Sequence, residues 1–145
     1  MMPEPKDVVG KICKCLTKYY NVRKRAMDVK SRPVLIIGYE DSYTSKMNID
    51  YEYIPLSRVG ASDPHEIYDE LIDGDLRLNL NLSSDSYLRT HKTSWEHVKQ
   101  LIVDQPIGDL KVVNPELFDK ILKKNEQWVV ARTGRHLLQN IETSA

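Results

Sequence analysis

Eight residues near the N-terminus, Lys11, Lys14, Lys18, Tyr19, Tyr20, Arg23, Lys24 and Arg25, combine fixed positive charge with aromatic rings at short spacing. Lysine and arginine neutralise phosphates, and a tyrosine ring offers a face for a nucleobase or an amphipathic body for a lipid headgroup region. The chemistry they offer is recognition of an anion. A nucleic acid, an anionic membrane or an acidic protein surface would each satisfy it. Arg23-Lys24-Arg25 also matches a minimal nuclear-import cluster, a short pattern of common residues. The plainer reading of the same residues is the solvated face of an amphipathic helix.

Other candidate chemistry is thinner. Asp109-Leu110-Lys111 has the D-x-K spacing of restriction-type metal nucleases, in which a carboxylate holds Mg²⁺ and the lysine, on the same strand face, orients water. Asp85, Glu96 or Asp104 would then supply a second carboxylate. Asp69, Glu70, Asp73 and Asp75 crowd Gly74, but counted from Asp73 the sixth and twelfth places hold Leu78 and Ser84, where a calcium loop needs glycine and glutamate. Gly74 reads instead as a helix C-cap. His91 and His97 are six apart, neither of the spacings that pair ligands on a helix, and His65 and His136 lie far away in sequence. Cys13 and Cys15 are the only cysteines; on a helix they would point about 200° apart, and they read as reduced thiols of an intracellular protein. There is no P-loop, dinucleotide glycine fingerprint or paired CxxC. No cofactor, metal or small-molecule ligand is expected.

The charge is zero overall yet divided along the chain. Residues 1–32 carry a net +6, residues 33–90 a net −7 and the remainder +1. A basic arm beside an acidic body can recruit an acidic partner, pair with that body, or pair with the body of a second copy.

The elements that must position these residues follow from periodicity. At 145 residues the chain is the size of one domain, with 41% hydrophobic and 29% charged residues, ordinary values for a folded protein. Val9, Ile12, Leu16, Tyr19 or Tyr20, and Met27 recur at helical spacing, with Lys11, Lys14, Lys18 and Arg25 on another face, which predicts an amphipathic basic helix over residues 7–29 within a helical arm 1–32. Residues 33–40 and 51–56 read as strands. Ser62-Asp63-Pro64 predicts a helix start leading to Gly74, and the alternating leucines at 76, 78, 80 and 82 predict a strand. A helix is expected over 94–104, a strand over 108–113, a helix over 116–124, and a hairpin turning at Thr133-Gly134, or else a final helix from His136. The fold class is α+β, one domain over 1–145, with helices on a mixed or antiparallel sheet.

With no convergent catalytic set, the first functional expectation is a non-enzymatic protein-interaction or self-assembly module, such as an inhibitor, adaptor or structural assembly protein, acting through a protein partner or a homo-oligomer. The second is nucleic-acid or anionic-membrane binding through the basic helix, and the third is a metal-dependent nuclease at Asp109 and Lys111. The expected location is cytoplasmic, with the nucleus open.

Overall fold

The computed structural model describes the backbone of residues 1–144 and the side chains of residues 1–134. In chain order the elements are α1 (Pro5–Val8), β1 (Lys11–Asn21), β2 (Ala26–Tyr39), β3 (Asp50–Arg58), β4 (Asp69–Ile72), α2 (Gly74–Asn79), β5 (Ser86–Arg89), β6 (Ser94–His97), a 3₁₀ turn (Val98–Gln100), β7 (Leu101–Ile102), β8 (Gly108–Asp109), α3 (Leu110–Val113) and α4 (Pro115–Ser144). All strand pairings are antiparallel, in an eight-stranded sheet ordered β4-β5-β3-β2-β1-β7, with β6 added to β3 and β8 to β1. The α+β expectation holds at this level.

The expected basic helix is absent: residues 11–39 form a long β-hairpin instead. Gly10, at φ +93, turns the chain out of α1, and Lys111 lies so close that a Cβ at Gly10 would sit 2.5 Å from its Cβ. Ten residue pairs, from Ile12↔Leu35 to Asn21↔Ala26, then join β1 to β2. Asn21 closes the turn by accepting hydrogen bonds from the Arg23 and Lys24 amides at 3.0 and 3.2 Å, and Arg25 takes the left-handed conformation at φ 51. Helical spacing of Ile12, Leu16 and Tyr19 counted Cys13 and Cys15 as neutral, yet both are buried on one strand face. A long ladder with β2 outweighs the modest intrinsic stability of a single amphipathic helix.

Alternation along the sheet feeds two cores. Leu35, Ile54, Leu56, Leu88 and Ile12 face the side covered by Phe118 and Ile121 of α4, together with Leu80, Leu82 and Leu110. Val34, Ile36, Cys13, Cys15 and Tyr51 face the other side, against Val8, Ile49, Val98, Leu101 and Val103. Burial on both faces explains the unbroken apolar run of β2.

Further expectations reverse. Ser62-Asp63-Pro64 starts no helix, because His65 Nδ1 accepts the Ile67 and Tyr68 amides while Asp69 accepts that of His65, and the chain enters β4. Residues 74–79 are helix rather than strand. Leu76 and Leu80 fit a four-residue period as well as a two-residue one, and Asn81, left-handed at φ 58, ends the helix as Leu82 N–H reaches back to Arg77 O at 3.1 Å. Gly74 therefore opens a helix rather than closing one. Residues 94–104 are β6, a 3₁₀ turn and β7, with β6 paired to Asp50–Tyr53 of β3, and 108–113 are mostly α3. The expected hairpin at Thr133-Gly134 is continuous α4, where the Thr133 hydroxyl bonds back to Val129 O at 2.9 Å.

Leu78 and Leu80 separate the two descriptions of this segment, since a strand places both on one face whereas the helix leaves Leu78 59% exposed and Leu80 0%. Leu80→Asp is expected to lower stability by about 3–5 kcal/mol, the range for an uncompensated carboxylate in a core, and Leu78→Asp by less than about 0.5 kcal/mol. Urea midpoints of the two variants check this; equal losses would restore the strand.

Candidate functional site

Two arrangements stand out. The first arises where β3 leaves β2. Their ladder ends at Val34↔Pro55, after which β3 pairs with β5 through Leu56↔Leu88. Proline has no amide hydrogen for a ladder, and Pro33 on β2 and Pro55 on β3 lie at this fork. Beyond it the sheet opens into a cleft of about 730 Å³ lined by Lys30, Ser31, Arg32 and Pro33 of β2, residues 56–61 at the end of β3, and Leu82, Ser83, Ser84 and Ser86 ahead of β5. Leu56 and Leu82 are buried and give it an apolar floor.

The cleft is electrostatically one-sided. Lys30, Arg32 and Arg58 line it with five serines, and no carboxylate does. Asp85, between two of the serines, is held by Arg77 at 3.2 Å instead. Arg32 and Arg58 make no hydrogen bond or ion pair among the described residues; Lys30 lies over the Tyr19 ring at 5.1 Å. Unpaired guanidinium groups beside hydroxyls suit an oxyanion, and above all a phosphate, which accepts bidentate hydrogen bonds.

The second arrangement is buried. Asp69, 1% exposed at its side chain, accepts from Arg89 Nε at 2.9 Å and from the His65 amide at 2.8 Å. Arg89 Nη1 donates to Ser62 Oγ at 3.1 Å. Rings of His65, Tyr68, His91 and Trp128 gather beside this carboxylate in tilted and edge-on contacts, with His65 and His91 centroids 4.8 Å apart and His91 and Trp128 5.9 Å apart. Burial pushes His91 below the usual imidazole range, partly offset by Asp69. Beside the stack, burial alone would raise the Glu70 carboxyl, but Lys120 and Lys124 of α4, at 2.7 and 2.9 Å, hold it below its ordinary value. Asn125 completes the seam by donating to Thr90 O at 2.8 Å. The histidines His65 and His91, distant in sequence, thus come together, while His97 bonds Asn48 elsewhere.

The structure scatters the eight basic and aromatic residues singled out above. Lys14, Lys18 and Tyr20 point to one face of the hairpin and Lys11 and Tyr19 to the other, while Arg23, Lys24 and Arg25 occupy its turn, Lys24 paired with Asp28 at 3.1 Å. None of the eight lines the cleft. Its cations Lys30, Arg32 and Arg58 went unselected, although two Ser-Arg pairs, each within three residues of a proline, were a visible signal. The D-x-K pair is structural: Asp109 accepts from the Val112 amide at 3.2 Å and caps α3, and Lys111 covers Gly10. Among the described residues no three His, Cys, Asp or Glu side chains are placed to hold a metal ion. Burial pushes the Cys13 thiol up to about 12, and it stays protonated and inert.

Asp69→Asn leaves the Arg89 guanidinium buried without its counter-charge and is expected to cost about 3–5 kcal/mol in chemical denaturation. A loss below about 1 kcal/mol would mean the pair is solvated. No protein-family model matches this chain, and no curated protein matches it.

Proposed function

We propose that the protein binds single-stranded nucleic acid, with phosphates seated in the cleft between β2 and β3. The observation that carries this reading is that Lys30, Arg32 and Arg58 are among the residues lining one cavity and that no acidic residue lines it. The ion pairs of the rest of the chain point the same way. Among the described residues, no cation of residues 1–32 pairs with an acid of residues 33–90; Asp69 and Asp85 take arginines of their own segment and Glu70 takes lysines of α4. The basic arm therefore keeps its charge for an outside ligand. A cleft of about 730 Å³ is within the size range of sites for nucleotide-sized ligands. Lys14 and Lys18, exposed on the opposite face of the hairpin from Lys30 and Arg32, add to the positive charge of the arm.

A second reading, interaction with a protein partner or a second copy, is favoured by one feature. Tyr20, Val22, Met27 and Val29 are all more than half exposed near the hairpin tip, an apolar patch with basic surroundings. An anionic bilayer would fit the same patch, and vesicle co-sedimentation separates it from the cleft.

Replacing Arg32 and Arg58 with glutamine should weaken binding of a fluorescein-labelled single-stranded oligonucleotide by roughly tenfold or more, since a hydrogen bond to a charged group is worth about 1.5–3 kcal/mol. The salt slope of log K should flatten by about 0.7 for each cation lost. Lys24→Gln, at a residue already paired, should change little. Fluorescence anisotropy from 50 to 300 mM salt reads all three; absence of binding at low salt, or a double variant that binds like wild type, overturns the reading.

A further inference from the structure

The buried cluster and the cleft share a wall. The segment from Arg58 to Ala61 lines the cleft, and Ser62, the next residue, is the one that Arg89 Nη1 grips. Arg89 is in turn held by Asp69 Oδ1, and His91 Nδ1 faces that same oxygen at 3.7 Å, too long for a hydrogen bond. His91 is nine-tenths buried at its side chain and its Nδ1 has no hydrogen-bond partner.

We infer that Asp69, Arg89 and Ser62 form a tether that holds the cleft wall, and that protonation of His91 releases it. The inference rests on the nucleic-acid reading for its ligand but not for its mechanics. While His91 is neutral, Asp69 Oδ1 has one charged suitor, the Arg89 guanidinium. A proton on the imidazole creates a second donor aimed at that oxygen. It also places a positive charge beside Arg89 from β5, Lys92 just after it, and His65 from the turn before β4; α4 contributes the Trp128 ring, and its Lys120 and Lys124 are committed to Glu70. The carboxylate is drawn toward the imidazolium, Arg89 is repelled, and the bond to Ser62 is the exposed, least supported link. Burial opposes the charged imidazole, so the tether holds at neutral pH and yields as the pH falls through the folded-state value, below the ordinary imidazole value of about 6.5. Loosening residues 58–61 shifts Arg58 and its neighbours in the cleft lining, so the site loses affinity under acid.

Hydrogen exchange on the full chain tests this directly. The Val59 and Ala61 amides bond to Asp85 O and Arg58 O at 3.0 and 3.1 Å, within the tethered segment. After correction for chemical exchange rates, wild type should show several-fold faster exchange at these amides at pH 5 than at pH 7.5, while the Leu35 and Ile36 amides stay protected. His91→Gln should abolish that pH response. Ser62→Ala, a change at an exposed residue that leaves the buried pair intact, should exchange fast at both pH values. Oligonucleotide affinity measured in parallel should fall with acid in wild type and not in His91→Gln, beyond any change shared by both. Exchange in wild type that follows the chemical rate alone, or a pH response that persists in His91→Gln, overturns the inference. Should no oligonucleotide bind at any pH, the nucleic-acid reading fails, and the exchange data still decide the tether.

Discussion

The absence of two amide hydrogens shapes this molecule. β2 is the central strand, paired to β1 along most of its length but to β3 only from Val34 onward. Pro33 can serve no second neighbour through its nitrogen, and it is tolerated because β2 has only one partner from that point toward the hairpin turn. Pro55 is the last residue of β3 in register with β2, and the strand beyond it transfers its hydrogen bonds to β5. The fork satisfies both ladders and opens a cavity between them. Its floor belongs to the main core through Leu56 and Leu82, so the cleft is as rigid there as the packing beneath it.

Charge then divides the surface according to what each group can reach. Of the acids of the middle segment, Asp69 and Asp85 pair with arginines of the same segment and Glu70 with the lysines of α4. The cations of the hairpin extend from a two-stranded arm, where Asp28 is the single acid, and that one is taken by Lys24. A long arm with uncompensated positive charge draws an anion through solvent over about a Debye length. In the proposed reading the cleft supplies the short-range part, its lining combining Lys30, Arg32 and Arg58 with serines over Leu56 and Leu82. The D-x-K pair is spent on a helix cap and a glycine contact.

The ring cluster at Asp69 does a different job. It joins β4 and β5 to α4 through the Glu70 lysines, the Asn125 amide and the Trp128 ring, and it reaches the cleft wall through Ser62. Packing α4 and bracing the wall with one buried carboxylate makes the two inseparable energetically, because a buried ion pair broken at one member leaves the other charged and unsolvated.

Residue order alone determined a good deal. The apolar runs at 33–40 and 51–56 identify the second half of β2 and most of β3, and Asn114-Pro115 followed by Leu117, Phe118, Ile121 and Leu122 identifies the start and inner face of α4, with Asn114 Oδ1 accepting from the Leu117 amide at 3.1 Å. These are local patterns with one solution, and so is the α+β class that follows from mixing them. Other segments have two. Leu76 and Leu80 satisfy a helix and a strand alike, and Ile12, Leu16 and Tyr19 make a helical stripe only until Cys13 and Cys15 are seen to be buried. Choosing between such solutions takes the partner strand, which contributes its hydrogen bonds from a dozen or more residues away. The site depends wholly on such long-range choices. Arg32 and Arg58 come to line one cleft at the fork beside two prolines, and His65 meets His91 because β4 and β5 are paired, through Asp69↔Arg89 among others. No spacing along the chain encodes either meeting, since each is set by the register of strands that only the folded sheet brings side by side.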